Sequence, residues 1–240
     1  MQYRRAGILG GMGPAATIRL YEEITARTPV QTDQDHIRLV IESNPAIPDR
    51  TEALLGGGPD PLPPMLESLR RLTAAGAEFI AIACNTAHAW YPQIARAAAV
   101  PVLHLIRIAA QACRGRLTDG ATVGVLATAG TIATELYQTA LADVGLQPIL
   151  PTPTDQTQVM RAIRLVKAGG PGNLQEARQV ASVQAQRLID RGAKAILLGC
   201  TDLSVILRDG DLPVPVVDST VALAEKIIAV ACGREGLGGV

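Results

Sequence analysis

Short aliphatic runs alternate along the chain with longer segments whose apolar residues recur every three or four positions. The runs at 5–9, 37–42, 79–83, 100–103, 122–126, 147–150, 195–198 and 214–217 read as strands. The segments at 15–28, 63–75, 87–97, 107–117, 132–144, 157–167, 174–191 and 220–231 read as helices. Strand–helix alternation of this kind packs helices on both faces of a mainly parallel sheet. In such sheets ligands bind beyond the carboxyl ends of the strands, so the residues just after each strand are the ones to inspect.

The pattern repeats within the chain, which predicts two similar doubly wound α/β domains related by internal duplication. Residues 7–17 match residues 124–134 without gaps, five of eleven positions being identical. Gly76-Ala77-Glu78-Phe79-Ile80-Ala81-Ile82-Ala83-Cys84 matches Gly192-Ala193-Lys194-Ala195-Ile196-Leu197-Leu198-Gly199-Cys200, four of nine being identical. Pro101-Val102-Leu103 matches Pro215-Val216-Val217. Three segments in one order at nearly one offset suggest residues 1–102 with 216–240 as the first domain and 103–215 as the second, with the active site in the cleft between them.

Composition narrows the function. Lys plus Arg equals Asp plus Glu at 22 each, without a basic stripe, so nucleic acid is not an expected partner. No apolar run reaches the roughly 20 residues of a membrane span. Arg4-Arg5 before residues 6–16 imitates a secretion signal, but its four glycines fit a strand and tight turn better. A cytoplasmic location is expected. Four cysteines in 240 residues make no disulfide scaffold, so each is either filler or chemistry.

Cys113 and Cys232 lie in Ala-rich helical patterns and read as core filler. Cys84 and Cys200 are different: each follows a strand at the matching place of its half. If the halves face each other, a small molecule between them meets sulfur from both sides. That arrangement suits two-base racemisation, in which one base takes the α-proton and the opposite acid returns one. The attacking cysteine must be a thiolate, and helix N-termini favour that form; both cysteines are expected at such ends. Charge developing on the substrate carboxylate needs fixed donors, and Asn85, Thr86 and Thr201 stand beside the thiols.

Two other chemistries fit parts of the chain. His88, four residues after Cys84, could join the thiols at a metal, but the set is an incomplete zinc site, and His88 is expected to be a partly exposed helix residue. Gly11-Met12-Gly13-Pro14-Ala15-Ala16 fits a loose dinucleotide loop, with Asp33 and Asp35 at a ribose-binding distance; that site gives the paired cysteines no role.

Four segments carry a family resemblance: Gly10-Gly11-Met12-Gly13-Pro14, Ile47-Pro48-Asp49-Arg50-Thr51, Ala83-Cys84-Asn85-Thr86-Ala87-His88 and Gly199-Cys200-Thr201-Asp202-Leu203. The chain resembles the aspartate/glutamate racemase family, most closely its aspartate branch. The resemblance implies two α/β domains around a cleft, a homodimer, an acidic amino-acid substrate, and neither pyridoxal phosphate nor metal. By it, Cys84 and Cys200 match the catalytic pair. Met12, Asn85, Thr86 and Thr201 match positions around the α-carboxylate, and Arg50 and Lys167 match cations that hold the side-chain carboxylate. Arg164 stands where the aspartate branch is expected to carry a tyrosine, and Asp202 where a glutamate is common. Glutamate or broader specificity, a related small-diacid isomerase or decarboxylase, and a non-catalytic binder of acidic amino acids are the alternatives. His104 and Asp218 occupy matching places after their strands, and the Gly/Pro-rich stretch 55–64 reads as a surface loop near Arg50 that could act as a flap.

Overall fold

A computed structural model describes residues 3–236. In chain order the elements are β1 (Ala6–Gly10), α1 (Pro14–Arg27), β2 (Leu39–Ser43), α2 (Arg50–Leu54), α3 (Leu62–Ala74), β3 (Phe79–Ile82), α4 (Tyr91–Ala97), β4 (Val102–Leu103), α5 (Leu105–Arg114), β5 (Thr122–Ala127), α6 (Ala129–Ala133), α7 (Leu136–Asp143), β6 (Gln147–Ile149), α8 (Pro153–Ala168), α9 (Pro171–Asp190), β7 (Ala195–Gly199), β8 (Val216–Asp218) and α10 (Ser219–Ala231). All eight expected strands are present. They form two four-stranded sheets of one topology, β2-β1-β3-β4 and β6-β5-β7-β8, with every pairing parallel.

The chain divides into two compact units, 1–105 with 220–240 and 106–219. In the first unit β1 and β3 are buried along their whole length, which is why they read as aliphatic runs rather than alternating patterns. Met65, Leu69 and Leu72 of α3 recur at helical spacing and pack with Leu9, Ile80 and Ile82. In the second unit β5 and β7 are covered on one side by α8 and α9, through Val159, Ile163, Ala181 and Leu188, and on the other by Tyr137, Leu141 and Cys113.

One packing detail shows how deep the likeness of the units runs. A Cβ on Gly7 of β1 would lie 2.8 Å from Ala77, 3.2 Å from Ile80 and 3.5 Å from Leu72. A Cβ on Gly124 of β5 would lie 2.7 Å from Ile196, 3.0 Å from Leu188 and 3.2 Å from Ala193. The three neighbours are the same residue types, each 116 residues further on. Both glycines exist because helix and strand approach too closely for a side chain.

The helices differ from expectation in two places. The segment expected as one helix from residue 132 is broken at Glu135, whose φ of 54° separates α6 from α7. The turns after the two cysteines are 3-10 helices, Thr86–Trp90 and Leu203–Val205, rather than α-helix starts. Turns of five and three residues carry little macrodipole, so the helix-terminus effect expected at both cysteines is small. Among the described residues no helix is long and apolar enough to cross a membrane.

Candidate active site

In the first unit the parallel register places the ends of β1, β2 and β3 side by side. The glycine turn after β1 is tightly determined. Gly11 has φ +85°, and a Cβ there would meet the Asn44 backbone nitrogen at 2.3 Å. Thr17 Oγ1 accepts the Gly11 N–H at 2.9 Å and donates to the Gly13 carbonyl at 3.1 Å. This turn presents Met12, which is buried in one cluster with Cys84, Ile47 and Ala87. Cys84 follows β3 and is itself nearly buried, as are Asn85 and Thr86 beside it.

Arg50 opens α2, a helix capped by Asp49, whose carboxylate accepts the Thr51 and Glu52 N–H groups. Arg50 is only 7% exposed. It donates to the carbonyls of Met12 at 2.7 Å, Pro48 at 2.9 Å and Ile47 at 3.1 Å. Arg50 thus ties the loop after β2 to the turn after β1. No carboxylate among the described residues lies within ion-pair distance of it, and its buried Nε has no hydrogen-bond partner there. A buried cation matched only by neutral carbonyls is set up to receive an anion.

In the second unit Cys200 follows β7, with Thr201 and Asp202 next to it, all three nearly buried. Asp202 Oδ2 lies 3.8 Å from Cys200 Sγ and 2.9 Å from Lys167 Nζ at the end of α8. The other oxygen, Oδ1, is buried without a partner. Lys167 is therefore already ion-paired, whereas Arg50 is not. The sequence marks Asp202 only as an aspartate where a glutamate is common; its pairing with Lys167, 35 residues away, carries no local signal. The equivalent position in the first unit is Thr86, so the two thiols have chemically different neighbours. Arg164 is exposed on α8.

The structure thus gathers Met12, Arg50, Cys84, Asn85 and Thr86 in one unit, and Lys167, Cys200 and Thr201 in the other. Cys113 is enclosed in the second core, where burial pushes its thiol up to about 12, as filler requires. Cys232 is partly buried, with the Arg234 guanidinium 3.7 Å away.

The rival sites fare poorly. His88 is buried rather than partly exposed, and both its ring nitrogens are engaged by backbone groups. Among the described residues no three of His, Cys, Asp and Glu gather where a metal could bind. Asp33 and Asp35 precede β2, at the opposite end of the strands from the glycine turn. Asp35 instead closes a capping box with Thr32, whose hydrogen bonds hold its carboxyl below the ordinary range.

Comparison with known families settles the class. A profile of the Asp/Glu/Hydantoin racemase family matches residues 9–227. The chain belongs to that family. The racemase is similar over 95% of its length to the aspartate racemase of Picrophilus torridus, covering 94% of that chain at 31% identity and a TM-score of 0.85. It is also similar to an aspartate racemase homologue from Pyrococcus horikoshii, at 25% identity and a TM-score of 0.74, covering 97% of this chain and 100% of that one. A broad-specificity amino-acid racemase of Bacillus subtilis is 26% identical over 227 residues, 93% of this racemase and 96% of the relative. The racemase is accordingly an isomerase of the amino-acid type, with two similar α/β domains.

Proposed function

We propose that this racemase interconverts L- and D-aspartate by moving protons between two thiols, Cys84 and Cys200, one contributed by each unit and acting on opposite faces of the substrate. The observation that carries the reading is the matched placement of the thiols. They are 116 residues apart, at the carboxyl ends of equivalent strands in two sheets of one topology.

One thiolate removes the α-hydrogen: the C–H bond breaks, an S–H bond forms, and the electron pair moves toward the carboxylate. The opposite thiol then gives its proton to the other face of the carbon. Each turnover leaves the two sulfurs with exchanged protonation, so L→D and D→L begin from opposite states. Asp202 is placed to accept the Cys200 proton, being 3.8 Å from its sulfur. Thr86, its counterpart, offers a hydroxyl instead, so Cys84 relies on other help. Met12, Asn85, Thr86 and Thr201 surround the amino acid near its α-carboxylate. Arg50 and Lys167 hold the side-chain carboxylate, Arg50 with the larger share because its charge meets no carboxylate among the described residues.

Aspartate is favoured over other amino acids by the unpaired buried guanidinium and by the similarity to aspartate racemases. The relationship to a broad-specificity enzyme supports a second reading, in which Arg50 serves only the fold and many side chains are accepted. Circular dichroism with a panel of D- and L-amino acids separates the two, followed by NMR of the products in D2O. Aspartate should lose its optical activity fastest and carry solvent deuterium at the α-carbon in both enantiomers. Equal rates across neutral amino acids would support the second reading, and no deuterium uptake from any amino acid of the panel would remove both.

A further inference from the structure

Two buried polar residues stand behind the cysteines and have no part in the proton transfer described above. His88 is enclosed in the turn after β3. Its Nε2 accepts the Leu105 backbone N–H at 3.0 Å, and its Nδ1 lies 2.9 Å from the Cys84 carbonyl oxygen. The Leu105 N–H can only donate, so the ring proton sits on Nδ1 and is given to the Cys84 carbonyl. Burial keeps the imidazole neutral, its pKa lowered to about 4, and so preserves that tautomer. Tyr91 stacks on the ring, and His104 lies at its side at 5.2 Å between centroids. The Cys84 carbonyl shares a rigid peptide plane with the Asn85 N–H, so holding one aims the other.

Ser204 holds the corresponding place after Cys200, at the same offset of 116 residues. It is fully buried and donates to Asp218 Oδ1 at 2.6 Å. The far ends of these two bonds lie at neighbouring, though not identical, places in the two halves: Asp218 matches His104, next to Leu105. Leu105 is the last residue of the first unit before the chain enters the second, and Asp218 is one residue from the point of return. Tyr137 strengthens the second connection: its ring lies under Gly199, and its hydroxyl is hydrogen-bonded to Ser219. A histidine and a serine share no chemistry beyond hydrogen bonding, yet each joins a cysteine turn to the segment where the chain changes unit.

We propose that His88 and Ser204 are positioning residues, each locking its cysteine-bearing turn to the segment through which the chain passes from one unit to the other. The proposal rests on the two-thiol reading. Thiol and α-carbon must be held to a fraction of an ångström, so a loosened turn lowers kcat more than it raises KM.

The test uses the full chain with Ser204→Ala and His88→Gln, well below their melting temperatures. Ser204→Ala removes a single oxygen and carries the test alone if His88→Gln does not fold. Each variant should lose between about tenfold and a hundredfold in kcat, with KM within about threefold. The decisive readout is the α-deuterium isotope effect on kcat/KM, measured separately for L- and D-aspartate. In Ser204→Ala it should rise for the enantiomer that gives its hydrogen to Cys200 and fall for the other. His88→Gln should reverse the two. Uniform shifts in both enantiomers, or kcat within about twofold of the unaltered enzyme, would overturn the proposal. If the unaltered enzyme itself shows no α-deuterium effect and takes up no solvent deuterium, the two-thiol reading has failed, and the positioning proposal fails with it.

Discussion

Replacing Arg50 by methionine separates its two roles. Methionine keeps an apolar stem of similar length and removes the fork that binds the carbonyls of Met12, Ile47 and Pro48. Each carbonyl that loses this donor costs about 1 kcal/mol, so the variant should be less stable by about 3 kcal/mol. For a chain of this size that corresponds to a Tm lower by roughly 6–12 °C. The substrate contact is additional. A charge-assisted pair to the side-chain carboxylate contributes about 2–3 kcal/mol, or roughly 30- to 150-fold in affinity. The assay is a melting curve together with kcat/KM for aspartate and alanine at a temperature where the variant stays folded. Aspartate should lose at least about tenfold more than alanine. A lower Tm with equal losses for both substrates would make Arg50 purely structural, and an unchanged Tm would refute the carbonyl-binding argument itself.

Asp202→Asn removes the carboxylate beside Cys200 and should lower kcat by at least about a hundredfold, the low end typical of a group that takes a proton; steady-state rates in both directions check it. Gly11→Ala places a methyl against the Asn44 backbone at a positive φ, and should give a less stable, nearly inactive protein by thermal melting and racemisation assay. The unfolded chain binds a proton at His88 below pH about 6.5, while the folded chain resists it until about 4. The unfolded state therefore binds more protons in that window, and stability falls by about 3 kcal/mol as pH drops through it. His88→Asn, which cannot titrate, should flatten that segment of a stability–pH curve measured by urea unfolding.

The central strands β1, β3, β5 and β7 were legible because they are buried on both faces and so had to be aliphatic. Duplication was legible because Gly7 and Gly124, and the cysteines themselves, are constrained by packing or position rather than by composition. The turns after the cysteines were not legible. A 3-10 start leaves no signature of its own, although Pro92 in the first turn of α4 marks where the α-helix begins. That geometry turns His88 inward, where an α-helical reading left it partly exposed. The short α2 escaped periodicity, since five residues hold little more than one turn, but Asp49 and Glu52 carried its capping signal. The break at Glu135 has no local cause in the sequence, because a non-glycine residue at positive φ is chosen by its surroundings. Lys167 was singled out as a cation; its pairing with Asp202 is a long-range contact that periodicity does not report.

The most direct test of the two-thiol scheme is α-hydrogen exchange in D2O by Cys84→Ala and Cys200→Ala, each given pure L- and pure D-aspartate. Each variant should fail to racemise. The thiol that remains should exchange the hydrogen of one enantiomer only, with opposite choices in the two variants. Near-normal racemisation by either variant, or exchange of the same enantiomer by both, would contradict the scheme.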